Sequence, residues 1–292
     1  MLVSCPIELL EDRLGGIDRA IEFLAEAGFD AYDMSMCRMY NPEHILNWEN
    51  WREEFRRLKA VADRAGIVCN QAHAPFPSSE GSEEKDEEIF ARIARSVEAA
   101  SILGAKVIVV HPMQHLTYVE NVEELKKLNL DFYRRLMPYC EKFGIKVATE
   151  NMWQWNKLGK HPIDSTCSRP QEFCEYIDQV GSPWMVGCLD IGHTVLVGAD
   201  PKEFILAMGK DRLQALHVHD NDFLHDSHTL PYLMNINYAD VIDALREIGY
   251  EGDLTFEANS FFRRIPDGLL PAAARYMMEL GRYLVSEIEK KA

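Results

Sequence analysis

Short apolar runs alternate with amphipathic helical stretches along this chain, and that alternation narrows the architectures open to it more than any other feature. Val107-Ile108-Val109-Val110 is apolar without a break, the pattern of a strand buried on both faces of a parallel sheet. Periodicity predicts strands at 1–5, 29–34, 67–73, 107–110, 145–149, 185–189, 213–216 and 254–256. Helices fall between them: 17–27, a second ending at Arg64, and a third opening in the acidic run 80–88 with Ile89, Ile93, Val97 and Ala100 inward. The next carries Leu125, Leu128, Phe132, Leu136 and Tyr139. Further helices cover 171–180 and 201–208, then one marked by Val241, Leu245 and Ile248, and a closing one from Pro271. Strands joined by crossover helices run parallel, and eight such units suit a (β/α)8 TIM barrel over residues 1–292 as a single domain. An open doubly wound sheet competes, but no GxGxxG or phosphate-binding loop follows the first strand.

Composition sets the class of partner. Hydrophobic residues at 47% and charged residues at 27% describe a globular chain able to bury its own core. No apolar run reaches the roughly 20 residues of a membrane span. With 31 basic and 47 acidic residues the net charge is −16, which disfavours nucleic acid and anionic membrane as partners. Seven cysteines without a Cys-x-x-Cys pair read as reduced thiols of a cytoplasmic protein, and the N-terminus has no basic or apolar signal segment.

The expected strand ends carry the chemistry. His73, His111, Glu150, Asp190, His217 and Glu257 each close a strand, so six of eight strands finish in a metal-ligand type. In a barrel these positions converge on one mouth. Imidazole and carboxylate without thiolate suit Mn²⁺, Zn²⁺, Co²⁺, Mg²⁺ or Fe²⁺. Such an ion polarises a carbonyl and its neighbouring hydroxyl, or generates hydroxide from water. His219 follows His217 on the same face of an extended strand, and Asp220 is expected to support ligand histidines. Asp226 and His228 add two ligand types in one short loop, and Trp153 is placed to stack on a substrate ring. Arg263 and Arg264 read as a solvated loop, and His44, His115, His161 and His225 as surface residues. No lysine ends a strand, and neither a nucleophile elbow nor a His-Glu-x-x-His helix is present.

Cys-Leu-Asp190-Ile-Gly-His193, Leu-His217-Val-His-Asp220 and the stretch from Tyr238 to Glu257 resemble the xylose-isomerase-like barrel superfamily, from the second strand to the last helix. That superfamily includes sugar and sugar-phosphate isomerases and epimerases, inosose dehydratases and endonuclease-IV-type apurinic endonucleases. Similarity to the D-tagatose 3-epimerase type implies one divalent ion on Glu150, Asp190, His217 and Glu257. It also implies proton transfer by Glu150 and Glu257 through an enediolate, on a small polyhydroxylated sugar or sugar phosphate. His193, with His73, His111 and Trp153, would contact the substrate. The epimerases have an arginine six residues past the metal histidine, where this chain has Phe223.

Two other activities remain open. A lyase of the keto-sugar or inosose dehydratase type would use the same ion. The three-zinc endonuclease pattern adds His73, His111, His193, Asp226 and His228 as ligands, all present here. Its DNA-gripping loops should be basic, whereas these offer Met113, Leu116, Tyr118, Trp153, Trp155 and Tyr232. A homodimer is implied by analogy with the superfamily alone.

Overall fold

The apolar runs form a parallel sheet that closes on itself. The computed structural model describes residues 1–290. In chain order its elements begin β1 (Val3–Pro6), α1 (Glu8–Leu14), α2 (Ile17–Ala27), β2 (Ala31–Ser35), α3 (Trp51–Ala65), β3 (Val68–His73) and α4 (Glu83–Leu103). There follow β4 (Val107–Val109), α5 (Val122–Phe143), β5 (Lys146–Glu150), β6 (Trp153–Asn156), β7 (His161–Asp164), α6 (Pro170–Val180) and β8 (Met185–Asp190). The last part holds α7 (Ile191–Leu196), α8 (Pro201–Arg212), β9 (Leu213–His217), α9 (Tyr238–Ile248), β10 (Leu254–Thr255), α10 (Asn259–Phe262) and α11 (Leu270–Ile288).

Eight strands pair in the order β10-β1-β2-β3-β4-β5-β8-β9, all parallel. A parallel bridge between Val218 and Phe256 brings β9 to β10, with Val218 N donating to Thr255 O at 2.9 Å. This is a TIM barrel, as expected from the alternation. The amphipathic helices cover its outer face, and α4 ends at Gly104, whose φ of 87° a side chain would resist.

Apolar packing falls into two layers. The larger lies between sheet and helices; the smaller, Val107, Val109, Ala148, Val186, Cys188 and Ala215, fills the barrel interior. Strand side chains alternate, so the face that carries Ala148 also carries Glu150. By the same parity Cys188 precedes Asp190 and Ala215 precedes His217. A small apolar plug and a cluster of ligand-type residues are therefore successive layers of one interior.

Several details differ from the periodicity reading. Residues 153–164 form an antiparallel hairpin, β6–β7, that alternation of strands and helices did not announce. Tyr139 faces outward on α5 while Asn129 is buried, because Asn129 Oδ1 accepts from Met113 N at 2.6 Å and its Nδ2 donates to Met113 O. The short α1, α7 and α10 lie beyond the eight crossover helices that the pattern supplied.

Candidate metal centre

The six expected ligand positions meet at the C-terminal mouth of the barrel. His73, Glu150, Asp190 and His217 are the last residues of β3, β5, β8 and β9; His111 and Glu257 lie two residues past β4 and β10. Register sets Glu150 beside Cys188 and Asp190 beside His217. Asn151 locks β5 to β8 by accepting from Asp190 N at 2.7 Å and donating to Asp190 O at 2.9 Å. Asp190 caps α7 by accepting from His193 N at 2.6 Å, which fixes His193 at the mouth.

Glu150, Asp190, His217 and Glu257 each offer a ligand atom within 4.8 Å of the others. Nδ1 of His217 lies 3.0 Å from Glu257 Oε2 and 3.3 Å from Glu150 Oε1. His111 Nε2 stands 3.1 Å from Glu150 Oε2, and His193 Nδ1 is 3.2 Å from Glu150 Oε1. These contacts are close but misaligned: both oxygens of Glu150, Nδ1 of His217 and Oε2 of Glu257 are buried without a hydrogen-bond partner. Orphaned lone pairs on two carboxylates and an imidazole, all aimed at one point, fit a divalent ion.

The electrostatics agree. Burial opposes ionisation of Glu150, yet His217 and His111 beside it hold its carboxyl well below the usual range. Burial likewise works against Glu257, and His217 and His228 hold it low. Against burial, Cys188, Glu257 and Glu150 raise His217, and Asp190 and Asp226 raise His193, well above a free imidazole.

A second group sits beside the first. His193, Asp226 and His228 bring ligand atoms within 4.8 Å of one another. Asp226 Oδ2 is 2.9 Å from His228 Nε2 and 3.3 Å from His193 Nε2. His219 links the groups: its Nε2 meets Asp190 Oδ1 at 3.0 Å, and its ring stacks on His228 with centroids 4.3 Å apart. Only glycine fits at position 192, since a Cβ there would lie 2.0 Å from the His219 ring.

The remaining predicted residues divide. Trp153 lies on β6 with its ring 6.4 Å from that of His193, at the edge of the mouth, and Phe76 packs 4.9 Å from His111. Asp220 supports no ligand histidine; it accepts from Asn221 N, Met234 N and Ile236 N and shapes the loop after β9. That correction has a simple cause, because Asp220 lies beyond the strand and its side chain turns into its own loop. Arg263 and Arg264 are exposed. His44, His115, His161 and His225 make local contacts away from the cluster.

Sequence reasoning passed over Asp33 and Gln71. Asp33 is fully buried in β2, and a carboxylate among Ala31, Tyr32 and Met34 was the available signal. A cavity of about 790 Å³ opens at the opposite, N-terminal face. Of its three lysines, Lys210 pairs with Glu251 at 3.2 Å and Lys146 donates to the Gln214 amide oxygen at 2.6 Å, and no metal-ligand group converges there among the described residues.

Behind the mouth, Glu172 on α6 accepts from Cys167 N at 2.9 Å and so braces the 165–168 turn, which receives Met152 N. Burial raises its carboxyl to about 7, with Tyr118 and the Cys167 N–H offsetting part of the rise. An acid raised on folding binds its proton longer in the folded chain, so stability falls as pH climbs from about 4.5 to about 7 and the full cost persists above that. Glu172→Gln is expected to raise Tm at pH 8 by about 2–4 °C, for roughly 1 kcal/mol, and to leave it unchanged near pH 4. Melting curves at the two pH values check this; an equal shift at both would contradict it.

Comparison with known proteins extends the picture. Residues 21–280 match the family model described as xylose isomerase-like TIM barrel. An uncharacterized protein of Methanocaldococcus jannaschii is 28% identical over 246 residues, covering 82% of this chain and 78% of the relative. The crystal structure of a D-tagatose 3-epimerase-like protein superposes with a TM-score of 0.76 at 22% identity, over 99% of this chain and 98% of the other. A protein called IolI, crystallised with a bound zinc atom, gives a TM-score of 0.74 at 19% identity over 99% and 98% of the two chains.

Proposed function

Because the chain belongs to the xylose isomerase-like TIM barrel family, we propose that it is a divalent-metal-dependent isomerase or epimerase of a small polyhydroxylated ketone, a sugar or sugar phosphate. One observation carries the reading. Glu150 and Glu257 bracket Nδ1 of His217 at 3.3 and 3.0 Å, and neither carboxylate spends those oxygens on a protein donor.

Glu150, Asp190, His217 and Glu257 would hold the ion. When bound, it supplies Lewis-acid stabilisation of oxyanion character on adjacent substrate oxygens. The chain's own residues do the rest. A carboxylate kept ionised by neighbouring imidazoles has a lone pair ready to accept a proton from carbon, and the second carboxylate stands where a proton can be returned. His193 and His111 lie 3.2 and 3.1 Å from Glu150 on two sides, and with His217 they favour its ionised form. Trp153 and Phe76 supply apolar walls on either side of the histidines, so that a ring can be seated and water kept from the reacting carbon. The solved relatives titled as epimerases or as zinc-bound support this reading by fold. Within the described residues no helix is long and apolar enough to cross a membrane, and all seven cysteines are free, in keeping with a reducing compartment.

The test is solvent exchange. Manganese-loaded protein incubated in D₂O with a panel of ketoses and keto-sugars is expected to place deuterium on the carbon beside the carbonyl of one of them, with its epimer or aldose appearing by NMR. Loss of water from the substrate would point to the lyase instead. A second reading is a multi-zinc phosphodiesterase, favoured by the His193–Asp226–His228 group. Two or three zinc ions per chain together with cleavage of abasic DNA, and no exchange on any sugar, would replace the isomerase by that reading.

A further inference from the structure

Strand β6 reads Trp153-Gln154-Trp155, and side-chain alternation puts the two indoles on one face and the amide on the other. Gln154 spends that amide on the β4–α5 loop: its Oε1 accepts from Tyr118 N at 2.9 Å, and its Nε2 donates to Leu116 O at 2.8 Å. Opposite Trp153 on β7, Asp164 accepts from Arg169 Nη2 at 2.7 Å, and the same guanidinium donates to Val197 O at 3.1 Å, just past α7. The hairpin is therefore pinned to the barrel from both sides, and its indoles are placed before any ligand arrives. Trp153 is half-buried with its ring 6.4 Å from that of His193, which itself lies 3.2 Å from Glu150. Trp155 continues outward, edge to face with Trp153 at 6.4 Å and 40% exposed.

We propose that Trp155 forms a second ring subsite, and that the substrate is a polyol ketone carrying a further ring, an aryl group or a second sugar, on a carbon away from the carbonyl. A singly exposed tryptophan needs no explanation. Here two indoles share one face of a pinned strand and lead away from Glu150, and together they present more apolar surface than one ring can cover. A ring seated against Trp153 and His193 leaves the face of Trp155 in water. A second ring joined to the first covers it, because the C–H face of a pyranose and the face of an arene both pack on an indole. Contact made this far from the reacting carbon binds substrate and transition state alike, so it acts on KM.

This subsite rests on the isomerase reading above, and two measurements keep them apart. Each ketose of the exchange panel is compared with its methyl, phenyl and glucosyl ethers at the carbon farthest from the carbonyl. Manganese-loaded wild type is expected to exchange a phenyl or glucosyl ether with kcat/KM about tenfold above that of the methyl ether, the gain falling on KM. Which of the two gains distinguishes an aryl from a sugar substituent. In Trp155→Ala the advantage should vanish. Equal kcat/KM for methyl and ring ethers in the wild type, or an advantage that survives Trp155→Ala, would overturn the proposal. So would a change of oligomeric state in that variant, which would mark Trp155 as a contact between copies. Binding is also read without turnover, from the NMR shift of the Trp155 indole N–H in zinc-loaded protein. If no ketose or ether exchanges, the isomerase reading falls and the indole shift alone decides. A shift produced by a ring ether and not by the methyl ether keeps the subsite, and any other pattern removes it.

Discussion

Glu257→Gln is expected to lower turnover at least about 10³-fold while leaving the barrel folded, as general-base losses of roughly 10²–10⁴ imply. Glu257 lies two residues past β10 with its Oε2 3.0 Å from His217 Nδ1, and its side chain is 18% exposed toward the mouth. Glutamine keeps the shape and one acceptor but holds no proton-accepting charge. The fold holds the Glu257 carboxyl low and the ion would be held partly by it, so the neutral amide is expected to lower Tm by a few degrees without unfolding the barrel. Exchange of the substrate's carbon-bound proton in D₂O, followed by NMR on the variant, provides the measurement. A variant that exchanges at the wild-type rate would remove Glu257 from the proton-transfer step. Circular dichroism and melting on the same sample separate a lost proton acceptor from a lost fold.

Removing the ion is the second large effect. Glu150, His217 and Glu257 present buried atoms that no hydrogen bond satisfies, so an ion bound there stabilises the folded chain selectively. At a free ion concentration about a thousandfold above Kd the stabilisation is about 4 kcal/mol, and Tm should fall by roughly 10 °C on chelation. Readdition of Mn²⁺ or Zn²⁺ should restore both Tm and exchange activity. An identical Tm with and without chelator, in protein shown by elemental analysis to have lost its metal, would count against an ion at these four residues. The second group, formed by His193, Asp226 and His228, makes the stoichiometry informative in the same experiment. One ion per chain supports the isomerase, and two or three support the phosphodiesterase.

Much of the site was legible because strand geometry is periodic. A residue that ends a buried strand and shares parity with the apolar plug must point into the barrel, so Glu150, Asp190 and His217 could be placed from local pattern. The strand-end histidines His73 and His111 followed by the same reasoning. Asp220 escaped it, since beyond the strand the side chain follows its loop and not the sheet. The β6–β7 hairpin escaped it too. Trp153 and Trp155 alternate with polar residues over a stretch too short to separate from a loop by periodicity.

The alternation of apolar runs and amphipathic helices determined a parallel sheet with crossover helices, and with it the strand ends where ligand-type residues gather, because burial and side-chain direction are local properties of a strand. Only the tertiary structure decided how those residues meet. That Asp33 reaches His217 through Gln71, that His219 stacks on His228, and that Asp226 turns back to His193 depend on barrel closure, on a register shift between β2 and β3, and on the path of one loop. Those are contacts between distant segments, and no local periodicity encodes them.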